Sequence, residues 1–108
     1  IEDFARFAAA YLGGVRAVLP PPTFAQVVTP HVATGEGKSA YGYGIYVDEG
    51  RHGPVWTHTG GGMGNTAYFI CAPRARSAIV LVANSSKYNG WFDVRTATEE
   101  AFLGSRLF

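Results

Sequence analysis

The sequence predicts an α+β fold, an antiparallel β-sheet with a helix at each end of the chain packed on it. Three observations predict it. Apolar residues recur at helical spacing over residues 4–12, apolar runs of strand length occupy 66–72 and 77–83, and a helix-compatible stretch covers 92–103. At 108 residues the chain holds one domain, too short for two. Both end helices are expected together on one face of the sheet.

The first helix rests on Phe4, Phe7, Ala8, Tyr11 and Leu12, which fall at i, i+3, i+4, i+7 and i+8. Glu2 and Asp3 lie in its first turn, where carboxylates favour the positive end of the dipole. Gly13 and Gly14 are expected to stop it, since glycine accepts a left-handed closing conformation. The run Pro20-Pro21-Pro22 then predicts an extended stretch. Thr23 can cap a short helix to about Val28, which Pro30 ends.

Residues 31–40 are polar and read as a loop. Tyr41, Tyr43, Ile45 and Val47 alternate with smaller or polar residues, the period of a single strand with one bulky face. Glu49 to Gly53 reads as a hairpin turn and Pro54 to Thr57 as the returning strand. A glycine-rich segment follows from His58 to Asn65. The two apolar runs come next, joined by the turn Pro73-Arg74-Ala75-Arg76, and Asn84 to Gly90 form a loop before the last helix.

Composition narrows the function. Hydrophobic residues make up 47% and charged residues 16%, the balance of an ordinary globular domain. Net charge is +1 with the cations scattered, so nothing tracks a phosphate backbone and no nucleic-acid partner is expected. The lone Cys71 excludes an internal disulfide and sits in an apolar run, where a buried, inert thiol is expected. No stretch has the length of a membrane span. The chain opens at Ile1 straight into the helical pattern, without an initiator Met or a capping residue, and the expectation is a chain cut from a longer one.

The chemistry concentrates where Pro54–Thr57 runs into His58-Thr59-Gly60-Gly61. An imidazole, a hydroxyl and unhindered backbone N–H groups gather at one strand end, able to hold an anion or a carbonyl. In acyl transfer the developing oxyanion needs fixed N–H donors of this kind.

The order Tyr41-Gly-Tyr-Gly-Ile-Tyr, hairpin, Trp56-Thr-His58-Thr59-Gly60-Gly61, strand, Ala72-Pro73, strand, Asn84-Ser85 resembles the C-terminal part of class C-type serine β-lactamases. It is also similar to the related esterases and penicillin-binding D-Ala-D-Ala peptidases. The resemblance spans the whole chain and implies a partial β-lactamase/transpeptidase-like fold, with residues 1–108 as the C-terminal fragment of the domain. It implies that His58-Thr59-Gly60 is the family's third motif. His58 would contact the substrate or the catalytic hydroxyls, Thr59 and Gly60 would line the substrate site, and the Gly61 N–H would supply half of the oxyanion hole. The family uses no metal or other cofactor, acts on ester, amide or β-lactam bonds, and would place the protein outside the cytoplasm.

The departures from that family matter as much. Its nucleophile lies in Ser-x-x-Lys, where Lys helps deprotonate Ser one helical turn away. The residues three before Lys38 and Lys87 are Gly35 and Asn84. The Tyr-x-Asn motif is missing as well, because Met63, Val82 and Lys87 stand two before Asn65, Asn84 and Asn89. The remaining walls of the site are therefore expected in the rest of a parent enzyme or in a partner chain, and the isolated chain is expected to be inactive. Histidine in place of the usual lysine gives up a permanent cation, which opens esterase, amidase or peptidase activity.

Other readings stand beside this one. The chain could be a non-catalytic ligand- or peptide-binding module that kept the groove. A zinc site from His31, His52 and His58 has no ligand spacing behind it. The glycine run fails the dinucleotide pattern, since Asn65 stands where its third glycine belongs. Exposed aromatics are expected where a missing part would dock, with Trp91, Phe92, Tyr41 and Tyr43 as candidates.

Overall fold

The continuous apolar run of residues 69–72 explains the architecture better than any single helix does. Phe69, Ile70, Cys71 and Ala72 are all buried. Neighbours along a strand point to opposite faces, so a strand buried at every position needs cover on both sides. The computed structural model, which describes residues 1–13, 19–35, 37–86 and 90–104, supplies that cover with helices on opposite faces.

The elements in chain order are α1 (Glu2–Tyr11), α2 (Pro21–Val27), β1 (Val32–Ala33), β2 (Ala40–Tyr41), β3 (Tyr46–Gly50), β4 (Gly53–Gly62), β5 (Asn65–Ala72), β6 (Ser77–Ala83) and α3 (Trp91–Leu103). The six strands form one antiparallel sheet in the order β1-β2-β3-β4-β5-β6. Each strand pairs with its chain neighbour, so no crossover is needed and the α+β expectation holds.

On one face, α1 lays Phe4, Ala8, Tyr11 and Leu12 against Val47, Phe69, Cys71, Ala78 and Val80. Phe69 is the hub, with ring centroids 6.2, 5.7 and 5.1 Å from Phe4, Phe7 and Tyr11. Through Tyr11 the cluster reaches Phe24 of α2, which packs edge-on to Trp56 at 5.7 Å. The other face gathers Val55, Ile70, Ala72 and Ile79, with Tyr68 and Leu81 beside them. Helix α3 covers that side, where Arg95 donates to the Tyr68 hydroxyl at 3.3 Å and Glu99 is buried. Arg95 also pairs with Glu99 at 3.3 Å, one turn along the same helix.

The expectation that both end helices share a face is thus overturned. The physical reason is the double-sided burial of β5, which a one-sided arrangement would leave half exposed.

Three local expectations also change. Helix α2 starts at Pro21 rather than after a Thr23 cap, because prolines at the first helical positions lose an N–H that has no intrahelical partner anyway. The polar stretch 31–40 contains the short strands β1 and β2. The alternating run Tyr41–Val47 is not one strand but two, broken at 42–45. The glycines allow the break: a Cβ on Gly42 would run into the Val27 carbonyl oxygen, and Gly44 adopts φ +73°. The chain therefore doubles back and pairs Tyr41 with Tyr46.

Gly14, Lys87, Asn89 and the side chain of Trp91 lie outside the described residues. Phe92 and Tyr43, the other docking candidates, are exposed at 61% and 64%, while Tyr41 is half-buried.

Candidate functional site

Strand β4 is longer than expected and runs through the glycines to Gly62. Its first half, Gly53–Thr57, pairs with β3 throughout, and Trp56 and Thr57 pair with β5 on the other side as well. Strand β3 meets β4 no further than Tyr46 opposite Thr57, so His58 to Gly62 pair with β5 alone. That half of β4 is an open edge.

The register fixes which backbone groups stay outside the ladder. Gly62 and Asn65 close a two-residue turn of Met63 and Gly64, with Gly64 at φ +84°. The closing pair of such a turn exchanges both hydrogen bonds, and bonded pairs then alternate along the strands. Gly60 with Ala67 and His58 with Phe69 are bonded pairs, whereas Gly61 with Thr66 and Thr59 with Tyr68 are not. The N–H groups of Thr59 and Gly61 therefore point away from β5, toward the side that β3 has vacated. Edge N–H groups of this kind are free to meet an incoming acceptor.

Most of the glycine run is not demanded by the backbone. A Cβ on Gly60 would meet nothing within 4 Å, one on Gly61 only the Asn65 carbonyl oxygen at 3.9 Å, and one on Gly62 only the Asn65 side-chain oxygen at 3.7 Å. Only Gly64 occupies a left-handed conformation. The bare edge keeps free space above it, which is what an approaching ligand needs.

His58 points to the α1 face, beside its partner Phe69. It borders a cavity of about 290 Å³ lined also by Phe4, Phe7, Tyr11, Ile45 and Gly60. Its Nε2 lies 3.0 Å from the hydroxyl of Tyr41. Tyr46 completes a bracket around the imidazole, with ring centroids 4.7 Å from Tyr41 and 6.1 Å from His58. The sequence motif did not mark Tyr41 as a partner of His58. The signal was the pair of glycines after Tyr41, which turn the chain so that Tyr41, Tyr46 and Thr57 lie abreast, one residue from His58.

Thr59 is separated from His58 by the strand's alternation. It pairs with Tyr68 and borders a second cavity of about 300 Å³ on the α3 face, with Thr66, Phe92 and Arg95. Thr59 also reaches the rim of the His58 cavity, so the two residues meet at the edge rather than on one wall. Gly60 lies between them on the first cavity. Of the sequence-marked set, His58, Thr59 and Gly60 border the first cavity, while Gly61 lies further along the open edge and is not among its lining residues.

The remaining candidates do not converge there. His31 is held by the Gln26 carbonyl at 2.8 Å and stacks on Tyr43. His52 occupies the β3–β4 turn. Among the described residues no group of three His, Cys, Asp or Glu side chains gathers to hold a metal. Cys71 is fully buried, and burial pushes its thiol up to about 12, which removes it as a nucleophile near neutral pH. A separate cavity of about 290 Å³ between α1 and α2 is lined by Phe7, Leu19, Phe24 and Val27. It offers bulk but little polar chemistry.

No helix among the described residues is long and apolar enough to cross a membrane. Compared with models of known families, with curated proteins and with solved structures, the chain matches none.

Proposed function

We propose that this chain is one wall of a serine acyl hydrolase of the β-lactamase, D-Ala-D-Ala peptidase or esterase type. In this reading the Ser-x-x-Lys nucleophile is supplied by the remainder of a parent enzyme or by a partner chain. The observation that carries the reading is the Gly61 N–H, which leaves the ladder at the open edge of β4, next to Gly60 and three residues along the strand from His58. A fixed donor on the same open edge as an imidazole, on a strand stripped of side chains, suits a carbonyl whose oxygen gains charge as a serine attacks. His58 then contacts the substrate, Thr59 and Gly60 line its path, and no metal or cofactor takes part.

The nucleophile and its base must stand within hydrogen-bond reach of each other. The sequence offers no such Ser and Lys, so the isolated chain is expected to be inactive. Exposed Phe7, Tyr43 and Phe92 give the missing part apolar surface to rest on. The second reading, a non-catalytic module that binds a ligand or peptide, draws on the same open edge, since unpaired strand groups also accept an added strand.

The test compares this chain with the full open reading frame on a chromogenic cephalosporin and a short-chain nitrophenyl ester, each with and without His58→Ala. Turnover by the longer protein, lost on His58→Ala and absent from the isolated chain, is the expected result. If the isolated chain turns over either substrate in a His58-dependent way, the split site is wrong. If the longer protein is inert to both, and to D-amino-acid peptides, the binding module replaces the hydrolase.

A further inference from the structure

We infer that Tyr41 is the positioning residue of His58: its hydroxyl holds Nε2, fixes the ring as the Nδ1–H tautomer, and makes the imidazole a hydrogen-bond donor to an occupant of the cavity. The separation of 3.0 Å is that of a hydrogen bond. Two arrangements satisfy it. Either the phenol O–H donates to a bare Nε2, or Nε2–H donates to the phenol oxygen. A phenol is a stronger acid than a neutral imidazole N–H, and a bare imidazole nitrogen is a better acceptor than a phenol oxygen. The first arrangement wins on both counts.

The fold holds the pair in place. Tyr41 is set opposite Tyr46, and Tyr46 opposite Thr57, the residue before His58. The Tyr46 ring stands edge-on to Tyr41 and 6.1 Å from His58, which limits how far either ring can turn. Among the described residues Nδ1 has no hydrogen-bond partner, so it is the ring nitrogen left for a ligand.

The chemical role follows from the tautomer. With its proton on Nδ1, the neutral ring can donate to a carbonyl or carboxylate oxygen but cannot accept a proton at that atom. His58 then binds and polarises, and proton abstraction falls to another group. This last consequence rests on the hydrolase reading; the tautomer itself does not.

The test is nitrogen NMR on the uniformly ¹⁵N-labelled chain at about pH 8.5, above the ordinary imidazole pKa of about 6.5. A long-range proton–nitrogen spectrum is expected to show His58 as a single Nδ1–H tautomer. In Tyr41→Phe the ring should shift toward the Nε2–H form that free imidazoles favour, with the backbone amide spectrum retained. Nε2–H in the unmodified chain overturns the inference, as does an unchanged tautomer in a folded Tyr41→Phe. Should Tyr41→Phe fail to fold, the unmodified chain still decides: a slowly exchanging Tyr41 hydroxyl proton with a cross-peak to the His58 ring supports the pair, and its absence overturns it. In the longer enzyme, Tyr41→Phe is expected to lower kcat/KM about tenfold, the worth of one hydrogen bond. An inert longer enzyme with the tautomer intact removes the hydrolase reading and leaves this inference standing.

Discussion

The two halves of β4 share a strand and do opposite work. Gly53–Thr57 is paired with β3 throughout, gains β5 as a second neighbour at Trp56 and Thr57, and buries Val55 and Thr57, with Thr57 donating to the Asp48 carboxylate at 3.3 Å. His58–Gly62 is paired on one side, and its last four residues are exposed. The difference does not come from strand propensity, which the glycines at 60–62 lower. It comes from where β3 stops. A strand with two neighbours has all its backbone groups committed to the sheet. One with a single neighbour keeps every other N–H and C=O for something else.

If the first half is core and the second is site, substitutions should separate them. The largest effect is expected at Ile70, which faces Thr57 across the ladder and is 1% exposed. Ile70→Ala should cost about 2–5 kcal/mol, measured by chemical denaturation, because the vacated volume cannot be refilled. A loss under about 1 kcal/mol would mean that this half is not packed as described.

A smaller effect is expected from Cys71, opposite Trp56 in the same half. Its thiol is raised from 9.0 to about 12 by burial, so the folded chain keeps a proton that the unfolded chain releases. The stabilisation is full below about pH 9 and is lost as pH rises toward 12. At about pH 10.5 the loss should be about 2 kcal/mol, at ~1.4 kcal/mol for each pH unit. The comparison that isolates it is Cys71→Ala, since burial also raises the Tyr11 and Tyr68 hydroxyls. Equal alkaline destabilisation of both proteins would remove Cys71 as the cause.

The smallest effect is the sharpest test of the open edge. Proline lacks an N–H, so it is harmful where that N–H is in the ladder and tolerable where it is not. Gly60→Pro should therefore be less stable than Gly61→Pro by about 1 kcal/mol, the worth of one ladder hydrogen bond. The reverse order would place the Gly61 N–H inside the sheet and withdraw it as an oxyanion donor. If the order holds, Gly61→Pro in the longer enzyme should still lose activity while keeping its fold.

Much of this was legible in the sequence, for identifiable reasons. The stripe from Phe4 to Leu12 announces α1 because an amphipathic helix repeats its apolar face within eight residues. The runs at 66–72 and 77–83 announce β5 and β6 because nothing polar interrupts them. Those same uninterrupted runs already implied cover on both faces, a consequence the one-face expectation overlooked. The break within Tyr41–Val47 was hidden because alternation persists across a turn. What decides is the closeness of Gly42 to the Val27 carbonyl, a contact between residues far apart in the chain. For the site, His58 and the glycines announce themselves through their order. The partnership with Tyr41 does not, because it depends on the registers of β2, β3 and β4 together.

The exposed edge of β4 also bears on how the protein behaves among its own copies. Unpaired strand edges recruit strands from other molecules, and the recruits that lead to fibrils lock together through interdigitated side chains. Residues 60–62 are all glycine, and Met63 and Gly64 turn the chain immediately afterwards. The edge thus offers hydrogen bonds to a visitor but almost no side chains to interlock with a second copy. A carbonyl-bearing ligand needs only the former, whereas a growing stack needs both. The same bareness that opens the strand to small molecules therefore works against self-assembly along it.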